Sequence, residues 1–389
     1  MKLPSTKQVI CSAPESVFPF FGWPTVARLP GGELAMTCSG FRLKHSCSFG
    51  KVVICYSRNE GKTWTQPAVL IDTLLDDRDA GIASFGNGRV IVTSFNLSSW
   101  RILEDISPWA TPEQRALIEA YIDYVRESYQ PDTHFGYPYR ISEDGGFTFG
   151  PQKMGKTAAP HGPIVLNDGS LLYVGFAIAY DLTYNDQVTP PLQCWKFNEQ
   201  DEFVLFSTME HVYDEHGWIC PSEPHGVQLP DGKIVVHFRA TRLGEPEKPR
   251  KYMVYQCESL DGGRTFSKAH PIMDDELGGS PPHLLLHSSG CLISSYGYRE
   301  HPCGIRVMLS MDNGETWSAP YTIEDGCQGG DEGYPATVEL KDGSLLTVYY
   351  ESVYASDKPE KSSIMQRIWR LPSSILPPSP ESECHPGLE

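Results

Sequence analysis

The 389-residue sequence contains no apolar run of 18 residues, so it offers no membrane-spanning helix. Its start, Met1-Lys2-Leu3-Pro4-Ser5, lacks the apolar region of a secretory leader. No Gly-x-Gly-x-x-Gly or P-loop precedes a helical pattern, which leaves nucleotide binding unsupported. No Gly-x-Ser-x-Gly elbow occurs. Cys-x2-Cys is absent, and with it the usual zinc signature. Basic residues are scarce: 32 Lys and Arg stand against 49 Asp and Glu, a net charge of −17. That balance argues against nucleic acid and against an anionic membrane surface as partners. The 11 cysteines are odd in number and irregularly spaced, unlike a disulfide scaffold. Reduced thiols and a cytoplasmic location are expected, although a secreted chain trimmed of its leader would read the same. No cofactor or metal is expected.

What the sequence has in abundance is Gly (35), Pro (32) and aromatics (11%), which suits many short strands joined by tight turns. A turn ending in Gly, between apolar stretches, recurs six times. Examples are Leu29-Pro30-Gly31-Gly32, Leu166-Asn167-Asp168-Gly169, Leu229-Pro230-Asp231-Gly232 and Leu340-Lys341-Asp342-Gly343. Such turns need positive φ and mark hairpins. The turn glycines are 32, 88, 169, 232, 290 and 343, spaced 53 to 81 residues apart. A unit of this size fits a four-stranded propeller blade.

A second repeat is interleaved with the first. Ser57-Arg58-Asn59-Glu60-Gly61-Lys62-Thr63-Trp64 returns at Ser142–Phe149, Ser259–Phe266 and Ser310–Trp317. The pattern is Ser-x-Asp-x-Gly-x-Thr-aromatic: the carboxylate can accept turn amides, and the aromatic can pack inward. It resembles the Asp box, and the whole chain resembles the sialidase superfamily. The resemblance implies an all-β, six-bladed propeller of four antiparallel strands per blade. The third unit lacks a good copy of the box. Residues 1–371 are expected to form one propeller, with Lys7–Cys11 completing the blade of Ile364–Leu371. A Pro/Ser/Glu-rich tail follows over 372–389. The longest spacing holds Leu117, Ile118, Tyr121, Ile122 and Val125 at helical period, so a helical insertion is expected near 111–129, as a decoration or as a lid.

Counting nine residues back from each turn Gly gives Trp23, Asp79, Pro160, Glu223, Pro281 and Tyr334. His161, His225 and His283 follow one or two residues later. In a propeller these positions converge on the axis, where carboxylates need a partner or solvent. They read either as strand-start capping groups in a wet channel or, as a set, as a site.

Here the sialidase resemblance becomes residue-specific. Glu223 with Arg239 16 residues later, and Arg306 with Tyr334 28 residues later, match the order of the family's Glu, two carboxylate-binding Arg and Tyr nucleophile. The chemistry is coherent. Arg grips a carboxylate bidentately, and a neutral Tyr is not repelled by it as an anionic nucleophile would be. Two departures stand out. The family's first Arg is replaced by Gly22, for which Arg28, Arg42 or Arg299 could substitute. The family's acid/base Asp maps to His45, so Asp79 or His45 is the expected proton donor, with Asp79 preferred. Trp23 is expected to wall the sugar ring or simply to fill the core. His161, His225 and His283 could bind sugar or ligate metal, sugar being the reading adopted.

The resemblance implies a glycosidase releasing sialic acid or a related acidic sugar from a glycoconjugate. A uronate-glycan lyase or inverting glycosidase using His and Tyr is the alternative, and a non-catalytic carbohydrate-binding propeller the third.

Overall fold

All six turn glycines adopt left-handed backbone, with φ between 72° and 94°, and each closes the hairpin between the first and second strands of a sheet. A side chain at these positions would strain the turn. The computed structural model describes residues 1–97, 110–130, 134–176, 190–214, 217–242, 252–272, 279–353 and 361–375. Six antiparallel sheets result. Blade 1 comprises Phe20–Arg28, Leu34–Arg42, Lys51–Ser57 and Ala68–Ile71. Blade 2 comprises Asp76–Phe85, Arg89–Leu97, Tyr137–Ser142 and Lys153–Gly155. Blade 3 comprises Ile164–Val165, Leu171–Gly175, Gln193–Phe197 and Phe203–Thr208. Blade 4 comprises Gly217–Gln228, Ile234–Arg242, Tyr252–Ser259 and His270–Pro271, with Tyr213–Asp214 added at its inner edge. Blade 5 comprises Gly279–Leu286, Leu292–Tyr298, Gly304–Ser310 and Tyr321–Glu324. Blade 6 comprises Glu332–Glu339, Leu345–Val353, Lys361–Trp369 and, from the other end of the chain, Ser5–Cys11.

The apolar core is divided among the gaps between blades. Val52, Ile54, Ile82 and Val92 fill the gap between blades 1 and 2. Ile91, Ile141, Tyr173 and Trp195 fill the next. Val174, Cys194, Val236 and Phe238 join blades 3 and 4. The Ser-x-Asp-x-Gly-x-Thr hairpins between third and fourth strands strengthen these joints. In each, the Ser hydroxyl accepts from the Gly amide and the Asp or Asn side chain accepts from the Thr amide. The closing aromatic then reaches the preceding blade: Trp64 Nε1 donates to Gln366 (2.9 Å) and Trp317 Nε1 to Gln256 (2.8 Å).

The first strand in sequence closes the ring, pairing antiparallel from Ser5 opposite Trp369 to Cys11 opposite Ile364. Removing residues 1–11 would expose that edge. The thermal midpoint is expected to fall by several degrees, since each kcal/mol lost shifts it by roughly 2–4 °C in a large domain. A midpoint unchanged in calorimetry would show the closure to be dispensable.

The insertion forms one helix, α1, Pro112–Ser128, opened by a capping box between Thr111 and Gln114. Its buried Ile118 and Ile122 pack on Leu43 and Cys47, in the loop between the second and third strands of blade 1. The helix therefore braces that loop. The tail beyond residue 375 lies outside the described residues.

Candidate active site

Five innermost strands share one irregularity. Pairing slips by one residue between Gly22 and Thr25, Arg78 and Gly81, Ser222 and His225, Ser280 and His283, and Gly333 and Ala336. These are bulges, with an extra residue on the inner strand. At four of them a non-glycine residue is left-handed: Trp23 (φ 56°), Asp79 (46°), Glu223 (52°) and Tyr334 (51°). Such conformations cost of order 1–3 kcal/mol each and gather at functional sites. Blades 3 and 5 carry Pro160 and Pro281 there, whose rings forbid positive φ. In blade 3 the left-handed residue is instead His161 (φ 71°).

The strained residues converge. Tyr334 Oη donates to Glu223 Oε1. Arg239 Nη1 lies 2.9 Å from Glu223 Oε2, an ion pair without good hydrogen-bond alignment. Its guanidinium covers Tyr252 at 5.1 Å. Burial, then the Glu223 charge, push the Tyr334 phenol well above its ordinary range, so it is neutral. Asp79 is buried, and its Oδ1 has no partner among the described residues. Burial, with the Glu223 charge added, raises its pKa to about 7, against the pull of Arg78, Arg42 and Arg239. Asp79 can thus hold a proton near neutrality.

Trp23 is walled by charge and aromatics. The Arg78 guanidinium lies 4.2 Å over its ring and that of Arg42 4.8 Å. His45 meets its face edge-on at 5.0 Å, and Tyr334 lies 6.3 Å away. His45 stands on the loop braced by α1. Its Nδ1 is 2.7 Å from Asp331 Oδ2, and its Nε2 is 3.2 Å from Arg78 Nη2. Burial lowers the His45 pKa, opposed by the Asp331 hydrogen bond and aided by Arg78. Nδ1 then carries the proton toward Asp331, and Nε2 offers its lone pair. Burial works against ionisation of Asp331, but His45, Arg299 and Tyr350 together hold its carboxylate below the usual range. Tyr350 Oη donates to Asp331, and Arg299 Nη2 donates to Tyr350 Oη at 3.1 Å.

Beneath this end of the ring lie three neutral imidazoles. His225 and His283 stack at 4.2 Å, with His161 edge-on to them at 5.8 and 5.2 Å. Burial lowers all three pKa values, that of His225 to about 3. The Leu284 amide donates to His225 Nδ1 and the Thr337 amide to His283 Nδ1, leaving both Nε2 atoms as donors. A cavity of 340 Å³ lies on the turn side of the histidines. Among the described residues no group of His, Cys, Asp or Glu is placed to hold a metal ion.

Neither a family model nor a curated protein matches the sequence. Solved structures do match. A protein of unknown function from Dyadobacter fermentans aligns with a TM-score of 0.69 at 18% identity, over 94% of this chain and 98% of that one. The NanB sialidase of Streptococcus pneumoniae aligns at 0.65 and 13%, over 95% and 71%. The chain shares the sialidase propeller fold. An α-L-arabinanase of Penicillium chrysogenum also aligns, at 0.57 and 13%, over 93% and 98%. At these identities the likeness concerns the fold, which propeller glycosidases of different specificity share.

Within this sialidase-like propeller, Tyr334, Glu223, Asp79, Trp23, His45, Arg239 and Arg299 come together. Arg306 does not join them. Its guanidinium donates to the carbonyls of Glu324 (2.7 Å) and Pro302 (2.9 Å) and covers Tyr298, because the third strand of blade 5 directs it toward its own blade. Two candidates for the missing Arg are likewise engaged elsewhere. Arg28 forks onto Glu60, among the turns at the opposite end of the strand. Arg42 is fully buried, forks onto Asp76 and donates to the His45 carbonyl, so it holds the loop. Arg299 is the one that reaches the site. Sequence reasoning missed Arg78, Asp331, Tyr350 and Tyr252. Arg78 directly precedes Asp79, and that adjacency was the available signal. Asp331 and Tyr350 carried none.

Proposed function

We propose that the protein is a glycoside hydrolase of the sialidase type, acting on a terminal nonulosonic acid or a related acidic sugar. One observation carries this reading: a neutral, buried Tyr334 donates to Glu223, which is itself paired with Arg239. A non-catalytic binder has no use for a phenol poised against a carboxylate in strained backbone. Arg239 and Arg299 hold the substrate carboxylate. Tyr334 Oη bonds to the anomeric carbon as its proton passes to Glu223. The bond to the leaving oxygen breaks, and that oxygen takes the proton of Asp79. Water then attacks the anomeric carbon, giving its proton to Asp79, as the bond to Tyr334 Oη breaks and the phenolate oxygen takes back the proton held on Glu223. Trp23 is buried in the core, so it carries the Arg78 guanidinium on its ring rather than walling the sugar. The solved neighbours named as a sialidase and an arabinanase support glycosidase chemistry on this fold.

The test is release of a fluorogenic aglycone from a panel of α-sialosides and related acidic glycosides. Hydrolysis of at least one is expected. No release from any of them would refute the proposal.

The His45–Asp331 pair favours a second reading, in which His45 abstracts a proton from a uronate and the product is unsaturated. Ultraviolet absorbance developing on uronate glycans, without hydrolysis of the sialoside panel, would select it.

A further inference from the structure

Among the described residues, the cations around the site differ in how fully they are matched, and Arg78 is matched least. Arg239 faces Glu223 at 2.9 Å. Arg299 lies 3.8 Å from Asp331 and shares Tyr350 with it. Arg42 forks onto Asp76 at 2.6 and 2.9 Å. That fork leaves Arg78 with a poor claim on the same carboxylate, at 3.7 Å. The Arg78 side chain is only 11% exposed, and its Nε has no partner among the described residues. Its remaining contacts are the face of Trp23 and the Nε2 of a neutral His45. A largely desolvated guanidinium with one long ion pair and an orphan Nε has hydrogen-bonding capacity left for an anion.

Gly22 explains why the charge sits here. A Cβ at that position would come 3.1 Å from Phe20 Cε1 and 3.7 Å from Tyr350 Cδ2. A side chain on blade 1 would start against these two rings, whereas Arg78 approaches from blade 2, just before the bulge that turns Asp79 inward.

We infer that Arg78 is a further substrate-binding residue, which reads the acid group of the sugar beside Arg239 and Arg299. This rests on the acidic-sugar reading above. Arg78 Nη2 rests against His45 Nε2. With substrate bound its fork turns to the carboxylate while its stack on Trp23 persists, since the planar group can do both at once.

The experiment compares binding of two acids, dehydrated sialic acid and glucuronic acid, with that of their uncharged methyl esters. It uses the full-length protein and its Arg78→Met, Arg78→Gln and Arg78→Lys variants, each checked for an unchanged thermal transition. The wild type is expected to prefer one acid over its ester. Arg78→Met and Arg78→Gln are expected to weaken binding of that acid by about 10–100-fold, the worth of a charged hydrogen-bonded contact. Ester binding should stay within a few-fold, and Arg78→Lys should recover part of the loss. A merely structural Arg78 would weaken acid and ester alike. If the preference survives in a folded Met or Gln variant, the inference falls and the acidic-sugar reading stands. If the wild type prefers neither acid over its ester, both fall together.

Discussion

Replacing Tyr334 by Phe lowers turnover of an acidic glycoside by about 10³-fold or more and leaves the propeller folded. The magnitude is that of removing a positioned reacting group. The ring and its contacts with Trp23 and Tyr350 persist, so packing changes little. What disappears is the hydroxyl that donates to Glu223. Glu223 keeps Arg239, so the buried carboxylate is not left without a counter-charge. Glu223→Gln is expected to match the loss, because an amide still accepts from the phenol but cannot take its proton. The double variant should be scarcely worse than either single one, as for residues that act as a unit. Steady-state kinetics of the three proteins check this. Losses that multiply would show that the two residues act separately, and a Tyr334→Phe protein within ten-fold of wild type would remove Tyr334 from the chemistry.

The second large effect belongs to Asp79. Its carboxyl, raised to about 7 by burial and then by Glu223, is protonated below neutrality. As proton donor it makes kcat/KM fall about ten-fold per pH unit above about 7. Asp79→Asn should abolish that limb and cost about 10²–10⁴-fold with a poor leaving group. The loss should shrink with a leaving group acidic enough to depart unprotonated. Stability moves the other way. The folded pKa lies above the ordinary value of 3.8, so the folded state binds this proton more tightly than the unfolded chain. The resulting stabilisation is complete below about pH 4 and is lost as pH rises through 7. Above pH 7 the wild type holds a buried charge with one oxygen lacking a hydrogen bond, which the Asn variant does not have. The variant should therefore melt higher than wild type at pH 8.5 and lose that advantage at pH 5. A pH–rate profile unaltered by Asp79→Asn would remove Asp79 from the donor role.

How far the sequence could be read varied with the distance over which each property is set. The blades were visible because a hairpin is local: the turn glycines and the Ser-x-Asp-x-Gly-x-Thr segments make their hydrogen bonds within a few residues. Ring position was visible too, since the bulge stands at a constant offset from the turn in five blades. The bulge itself went unread, although Pro24, Pro224, Pro282 and Pro335, which cannot donate to a ladder, follow its residue in four of them. The arginines were the least legible. Arg299 and Arg306 are seven residues apart on one blade, yet one reaches Tyr350 and the other turns to the carbonyls of Glu324 and Pro302.

By itself, the order of residues determined six hairpin-built sheets and the presence of Trp23, Asp79, Glu223 and Tyr334 at one level of their inner strands. Short-range turn geometry and strand period are enough for that. Only the tertiary structure decided which charges meet. His45 finds Asp331 across 286 residues, and Tyr334 finds Glu223 across 111. Such pairings depend on how separate blades close around an axis and on which competing partner reaches a guanidinium first, and neither is written in any local stretch of chain.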